Sequence, residues 1–304
     1  MKKLAALILV LAMIFTLCAC GGTQPEAKEA GAPAQPQSAE NPAQAGVSGS
    51  GTEDDPWLVG ADKPEDVTVF VTDGTLWING SGRMQDFESL EQRPWNSVIG
   101  ELTYVFVSDC VEHIGARAFM GAGKDSDDFD LGFFSENLLS IGESAFEGAN
   151  FSFYVIVTIP ESVESIGPRA FADCPLTDVY IDGAPDIAED AFAGVTSRVS
   201  VRYGAGWDES NMLPYGGELD YIMTYPVRYV DDYGTDEITA EGTAFVPEGE
   251  LFEYDAVAYL TEDDYHFVRY ELISGELDIT DPTDPVISSP VSGLVELKVI
   301  YEHD

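Results

Sequence analysis

The pattern Ile-Gly-x-x-Ala-Phe recurs along this chain, and no other feature restricts its fold as much. It appears as Ile114-Gly115 with Ala118-Phe119, Ile141-Gly142 with Ala145-Phe146, and Ile166-Gly167 with Ala170-Phe171. A fourth copy, Ile187-Ala188 with Ala191-Phe192, lacks the glycine. Spacings from Ile to Ile are 27, 25 and 21 residues, inside the range of periods that marks stacked-repeat architectures. A unit this short cannot close a core alone, so its apolar face must be buried by neighbouring copies.

Each position has a physical task. Val155 to Ile159 reads as a short β-branched strand, which Pro160 ends because it has no N–H to give to a ladder. Ile166 points inward, Gly167 permits a tight turn, and Ala170 leaves room for the next unit. Phe119, Phe146, Phe171 and Phe192 then stack as a spine, each burial contributing roughly 1.5 to 3 kcal/mol. Alternation along the strands sets Val105, Val107, Phe134, Val157, Ile159, Val179 and Ile181 inward. The outward row is Tyr104, Phe106, Phe133, Ile156, Thr158 and Tyr180, an apolar patch of the kind that marks interaction sites. Two alternatives stay open. Parallel strands are often covered on both faces, and a one-residue slip in register would exchange the two sets.

These motifs, with the Pro160-Glu161-Ser162-Val163 turn and Cys174 after the third copy, resemble the BspA-like, treponemal-type leucine-rich repeat family. Gly74 to Gly82 and Pro94-Trp95 resemble the opening of such domains. The resemblance implies a repeat/solenoid α+β fold with short parallel strands, and a role in adhesion or host interaction. Departures are the uneven spacing, a weak second strand near Phe134, and Ala188, which suits an irregular capping unit.

At the N-terminus, Lys2-Lys3 and the apolar run Leu4 to Leu17 form a charged region and a hydrophobic region too short to span a bilayer comfortably. Leu17-Cys18-Ala19-Cys20 resembles the lipobox of bacterial lipoproteins, which implies a signal peptide over 1–19 and lipidation at Cys20. The stretch 20–51 lacks aromatic residues and is rich in Ala, Pro, Gln and Gly, a tether that cannot bury enough surface to order itself. A repeat domain with caps is expected over 52–224, the leading cap built from strands at Pro56-Trp57-Leu58-Val59, Val67 to Val71 and Leu76 to Ile78. The trailing cap carries Trp207 and Tyr215-Gly216-Gly217.

Residues 225–304 lose the motif. Alternation at Val227, Tyr229 and again at Val295, Leu297, Val299, Tyr301 indicates a small all-β or β-grasp-like domain with its first and last strands in one sheet. Val227-x-Tyr229-x-Asp231-x-x-Gly234 resembles mucin-binding-type β-grasp repeats, with a generic β spacer as the alternative.

Fourteen basic against 55 acidic residues give a net charge of −41, a field that disfavours nucleic acid and anionic membrane surfaces as direct partners. Cys110 and Cys174 occupy non-equivalent places and read as packed thiols. No zinc-protease, Cys-x-x-Cys, nucleophile-elbow or phosphate-loop motif occurs. His113, His266 and His303 read as solvated residues in a turn, a strand and the tail. Asp125, Asp127, Asp128 and Asp130, or Asp278, Asp281 and Asp284, offer oxygen ligands without matching a calcium loop, and read as solvated loops with no metal and no cofactor. The sequence therefore describes a non-enzymatic, lipid-anchored protein of the bacterial cell surface that binds an extracellular protein or glycan. Alternatives are a carbohydrate-active or other hydrolase with an unrecognised site, and a structural spacer.

Overall fold

A computed structural model describes residues 47–132, 134–151, 156–208, 210–234, 239–258, 260 and 264–303. In chain order the strands are β1 (Trp57–Leu58), β2 (Val67–Thr72), β3 (Thr75–Gly80), β4 (Gly82–Arg83), β5 (Tyr104–Val107), β6 (Val111–Ile114), β7 (Asp130–Leu131), β8 (Ser140–Ile141), β9 (Ile156–Ile159) and β10 (Ser165–Ile166). They continue as β11 (Asp178–Ile181), β12 (Asp186–Ile187), β13 (Thr196–Arg202), β14 (Glu218–Asp232), β15 (Thr239–Pro247), β16 (Leu251–Asp255), β17 (Tyr265–Ser274), β18 (Val286–Pro290) and β19 (Val295–His303).

The repeats form a leucine-rich repeat fold whose strands pair mostly in parallel, because each repeat meets the equivalent part of the next. One ladder runs β4-β6-β8-β10-β12 and holds the isoleucines of the motif, Ile114 against Ile141 and Ile166 against Ile187. The longer strands form a second face, split into a sheet β1-β2-β3-β5-β7 and a sheet β17-β19-β14-β13-β11-β9, with β15 also on β14. Expected strands of the leading cap are present as β1, β2 and β3.

The Ala-Phe segments make a third ladder. Phe119 N–H donates to the Ala145 carbonyl (2.7 Å), Phe146 to Ala170 (2.8 Å), Phe171 to Ala191 (2.8 Å) and Phe192 to Tyr215 (3.0 Å). This corrects the α component of the expected α+β class. Among the described residues the only helical pieces are three 3₁₀ turns, Pro64–Asp66, Leu90–Gln92 and Ile99–Glu101. Backbone groups that an α-helix would pair with its own preceding turn are here paired with the neighbouring repeat.

The motif glycine also needs another explanation. Gly115, Gly142 and Gly167 are absent from the positive-φ positions, which fall instead on Arg117, Ser144 and Arg169 (φ 60°, 52° and 53°). Glycine is required by close approach: a Cβ on Gly142 would lie 2.6 Å from the Ala116 nitrogen, and one on Gly167 2.9 Å from that of Glu143.

Stacked phenylalanines fill the centre. Phe119, Phe146, Phe171 and Phe192 are all buried, with successive centroids 5.1, 5.3 and 5.4 Å apart. At the leading end, Arg117, Ala118 and Met120 present carbonyls with no earlier repeat to meet them. Arg93, 2% exposed, sends Nη1 to Arg117 and Met120 (2.9 Å each), and Trp95 Nε1 donates to Ala118 (2.8 Å). At the trailing end Trp207 Nε1 reaches the Gly183 carbonyl (2.6 Å). Side-chain donors thus replace the missing neighbour, as the end of a repeat stack requires.

The hydrophobic core falls into two clusters, one reaching from Val59 to Tyr215 and the other from Tyr225 to Tyr301. β14 belongs to both regions. Its 15 residues pair with β13 through Glu218 to Thr224, then with β15 and β19 through Val227 to Asp232. The first and last strands of the C-terminal region are direct parallel neighbours, Val227 opposite Val295 and Tyr229 opposite Leu297. Its described residues form strands and turns, with β16 and β18 as a separate antiparallel pair.

Cys174 is a packed thiol, its Sγ 3.0 Å from the Phe146 carbonyl, and burial pushes it up to about 12. Cys110 is buried as well but is disulfide-bonded, so reading it as a packed thiol fails there.

Candidate binding face

Alternation along the repeat strands resolves the register. Val105, Val107, Phe134, Val157, Ile159, Val179 and Ile181 are buried, whereas Phe106 is 38% and Ile156 46% exposed. Thr158 is exposed, Tyr104 and Tyr180 are half-buried, and Phe133 lies outside the described residues. Ile156 stands beside Asp178, and Thr158 beside Tyr180.

The outward residues do not form one unbroken row. Tyr104 and Phe106 belong to the sheet ending at β7, while Ile156, Thr158 and Tyr180 belong to the sheet beginning at β9. Between them lies a cleft of about 260 Å³, walled by Asp130 and Gly132 on one side and Ile156 and Thr158 on the other, with Phe134 and Val157 also lining it.

The N-terminal half of this face is aromatic. Phe70, Trp77 and Phe106 lie opposite one another on β2, β3 and β5. Phe70 and Trp77 have centroids 6.2 Å apart, and Trp77 and Phe106 5.0 Å. Beside them Tyr104 stands opposite Asp130. Burial raises the Tyr104 hydroxyl pKa, with the Asp130 charge as a second cause, and burial raises that of Asp130 itself. Trp77 was missed in the sequence because its strand reads as a cap, although inward Leu76 and Ile78 already imply that Trp77 faces out.

The other half is polar and apolar by turns. Arg198 Nε donates to Asp178 (2.7 Å), and Arg202 pairs with Glu161 (2.9 Å) and Asp182 (3.5 Å). The Arg202 guanidinium also lies over the Phe245 ring, 4.9 Å from its centroid.

His113 departs from its expected place. It is buried on β6, its Nδ1 2.8 Å from Ser140 Oγ and its Nε2 3.1 Å from Asp86 Oδ1, which also accepts the Ala116 N–H (2.6 Å). The His113 hydrogen bond is the largest cause holding the Asp86 carboxyl below its ordinary value. The order Ser-His-Asp matches a hydrolase triad, which also needs free N–H groups for an oxyanion. The neighbouring Leu139 and Gly142 N–H groups are committed to the Glu112 and Ile114 carbonyls (2.8 Å each). The cluster therefore ties the leading cap to the first two repeats. His266 lies on β17 and His303 ends β19, so the latter is in a strand rather than a tail.

Among the described residues no group of three or more His, Cys, Asp or Glu side chains is placed to hold a metal ion. Asp281 and Asp284 instead accept the N–H groups of Thr283 (2.9 Å) and Val286 (3.0 Å), closing local turns. No helix among them is long and apolar enough to cross a membrane.

Residues 112–203 match the BspA type Leucine rich repeat region in 6 copies. The repeat region is a BspA-type leucine-rich repeat. The strict Ile-Gly-x-x-Ala-Phe motif, with four copies counting the Ala188 variant, undercounts the BspA-type units. No curated protein matches the chain. A leucine-rich repeat protein from Eubacterium ventriosum ATCC 27560 aligns at 18% identity over 52% of this chain and 42% of that one, with a TM-score of 0.28. The match thus spans less than half of that protein's length, and a score so low carries no inference.

Proposed function

We propose that this is a lipid-anchored protein of the bacterial cell surface that binds an extracellular protein or glycan through its repeats. In this reading residues 1–19 are a signal peptide, Cys20 carries the lipid, and 20–51 form a tether. Residues 52–224 are a capped solenoid, and 225–304 a small β domain of the mucin-binding type. The family resemblance implies adhesion. The observation that carries the reading is the outward face of the repeat strands, where Phe106 and Ile156 remain open to solvent on ladders whose other face is fully packed. Apolar groups left bare on a regular scaffold mark interaction sites, and aromatic ones dominate interface hot spots.

The test is capture of extracellular-matrix proteins and arrayed glycans by the full chain and by a Phe106→Ser, Ile156→Ser, Tyr180→Ser variant. Lost capture with an unchanged melting temperature supports the face. Capture equal to wild type sends the search elsewhere. The anchor has its own test, since a Cys20→Ala chain that still partitions into membranes after signal processing contradicts lipidation at that residue.

A further inference from the structure

The aromatic half of the face has a chemistry of its own. Phe70, Trp77 and Phe106 form a cross-strand ladder of rings whose exposure rises from 9% at Phe70 to 38% at Phe106. Beyond Phe106 the ladder stops, because the residue after Leu131 is Gly132, whose N–H bonds the Val105 carbonyl (2.9 Å) and which carries no side chain. The Tyr104 ring takes the place of the missing side chain, its hydroxyl 2.9 Å from where a Cβ on Gly132 would lie, and Phe106 stays 38% exposed. Asp130 flanks it, beside Tyr104.

Charge narrows the occupant. Residues 47–132 hold 5 basic and 17 acidic side chains, a net charge of −12, and one of the five, Arg93, is buried in the cap. An aromatic face in a negative field attracts a cation through the ring quadrupole, and more strongly once water is displaced. The molecule shows the same contact elsewhere: outward Phe245 is roofed by Arg202. Among the described residues no cation lies over Phe106.

We infer that the Trp77–Phe106 surface is a docking site for a lysine- or arginine-rich polypeptide segment, whose cationic heads lie on the rings with Asp130 as counter-charge. This rests on the proposal that the outward face binds a ligand, and names the class of that ligand. A neutral glycan would use the rings but gain nothing from the acidic field, and an anionic one would be repelled.

The experiment is titration of the full chain with a lysine-rich synthetic peptide, at low and high salt, beside the same peptide with acetylated lysines, which removes the charge. Binding is expected for the charged peptide alone, weakened by salt. Phe106→Leu keeps apolar bulk without the ring and should bind about two- to fivefold more weakly with unchanged melting; Trp77→Leu should weaken binding alike, with some loss of stability because Trp77 packs between Phe70 and Phe106. Wild-type affinity in both variants would mean diffuse charge attraction and would overturn the inference. Capture of a neutral oligosaccharide in a Phe106-dependent manner, with no peptide binding, would overturn it too. In that case, or if the Ser variant loses capture of a protein while the peptide never binds, the binding face survives and only the cationic occupant falls.

Discussion

Phe146 and Phe171 stack with ring centroids 5.3 Å apart and planes 5° from parallel. Both are wholly buried, but Phe146 has more aromatic company, with Phe134 at 5.7 Å and Phe151 at 6.3 Å as well as Phe119. Either truncation to Ala is expected to remove about 3 to 5 kcal/mol, the range for large aromatic cavities. Phe146→Ala should be the worse. Urea melts decide it, and a loss under about 1 kcal/mol at either site would show that the rings are not a core.

Among the described residues Arg93 is a buried cation with no carboxylate against it. Its partners are the carbonyls of Arg117 and Met120 and the Asn96 side chain (2.7 Å), and burial pulls its pKa down to about 10, which still leaves it protonated at neutral pH. Arg93→Met keeps the bulk but leaves those carbonyls unpaired, at about 1 to 3 kcal/mol for each buried group lost. A drop of about 2 to 5 kcal/mol in chemical denaturation is expected, and Arg93→Lys should restore little because an ammonium lacks the planar fork. A silent Arg93→Met would mean that the cap holds without it.

Gly142→Ala puts a Cβ 2.6 Å from backbone of the preceding repeat, where no flexible side chain can yield. Overpacking of that kind costs about 1 to 3 kcal/mol. If the glycine served only a turn, alanine at its negative φ would instead be neutral or mildly stabilising. The sign of the change in melting temperature separates the two.

Asp231 is 5% exposed on β14, its carboxylate 3.3 Å from the Tyr254 hydroxyl, and burial raises its pKa above the ordinary carboxyl value. Folding therefore favours the protonated form. The stability this supplies is complete below the unfolded value of about 3.9 and is lost as pH rises through the elevated folded one. Asp231→Asn should accordingly be more stable than wild type at pH 7, with the gap closing below about pH 4. A gap that is constant with pH, followed by the near-ultraviolet dichroism of the surrounding tyrosines, would show that ionisation of Asp231 is not the cause.

Much of the repeat was legible because its signals are local. Val105, Val157 and Val179 bury themselves by the strand period of two, and the phenylalanines by recurrence. Position in the motif also marked Cys174 as buried. What could not be read involves segments distant in sequence: Asp86 reaching His113 and Ser140, Arg93 turning back to Arg117, and Trp77 joining Phe106 across two strands. The candidate face was legible in its direction but not its extent, since the cleft between Asp130 and Ile156 depends on how segments far apart in sequence lie against each other.

The sequence by itself determined the repeat and the spine, because periodicity and side-chain size settle these within one unit, while a one-residue slip left open which side of each strand faces solvent. Only the tertiary structure decided why the motif glycine must be glycine, what caps the ends, and that β14 runs unbroken from the repeat sheet into the C-terminal one. Those depend on distances between backbones far apart in the chain, such as 2.6 Å from the missing Cβ of Gly142 to the Ala116 nitrogen, and no pattern of residue types encodes a distance between two segments until both are folded against each other.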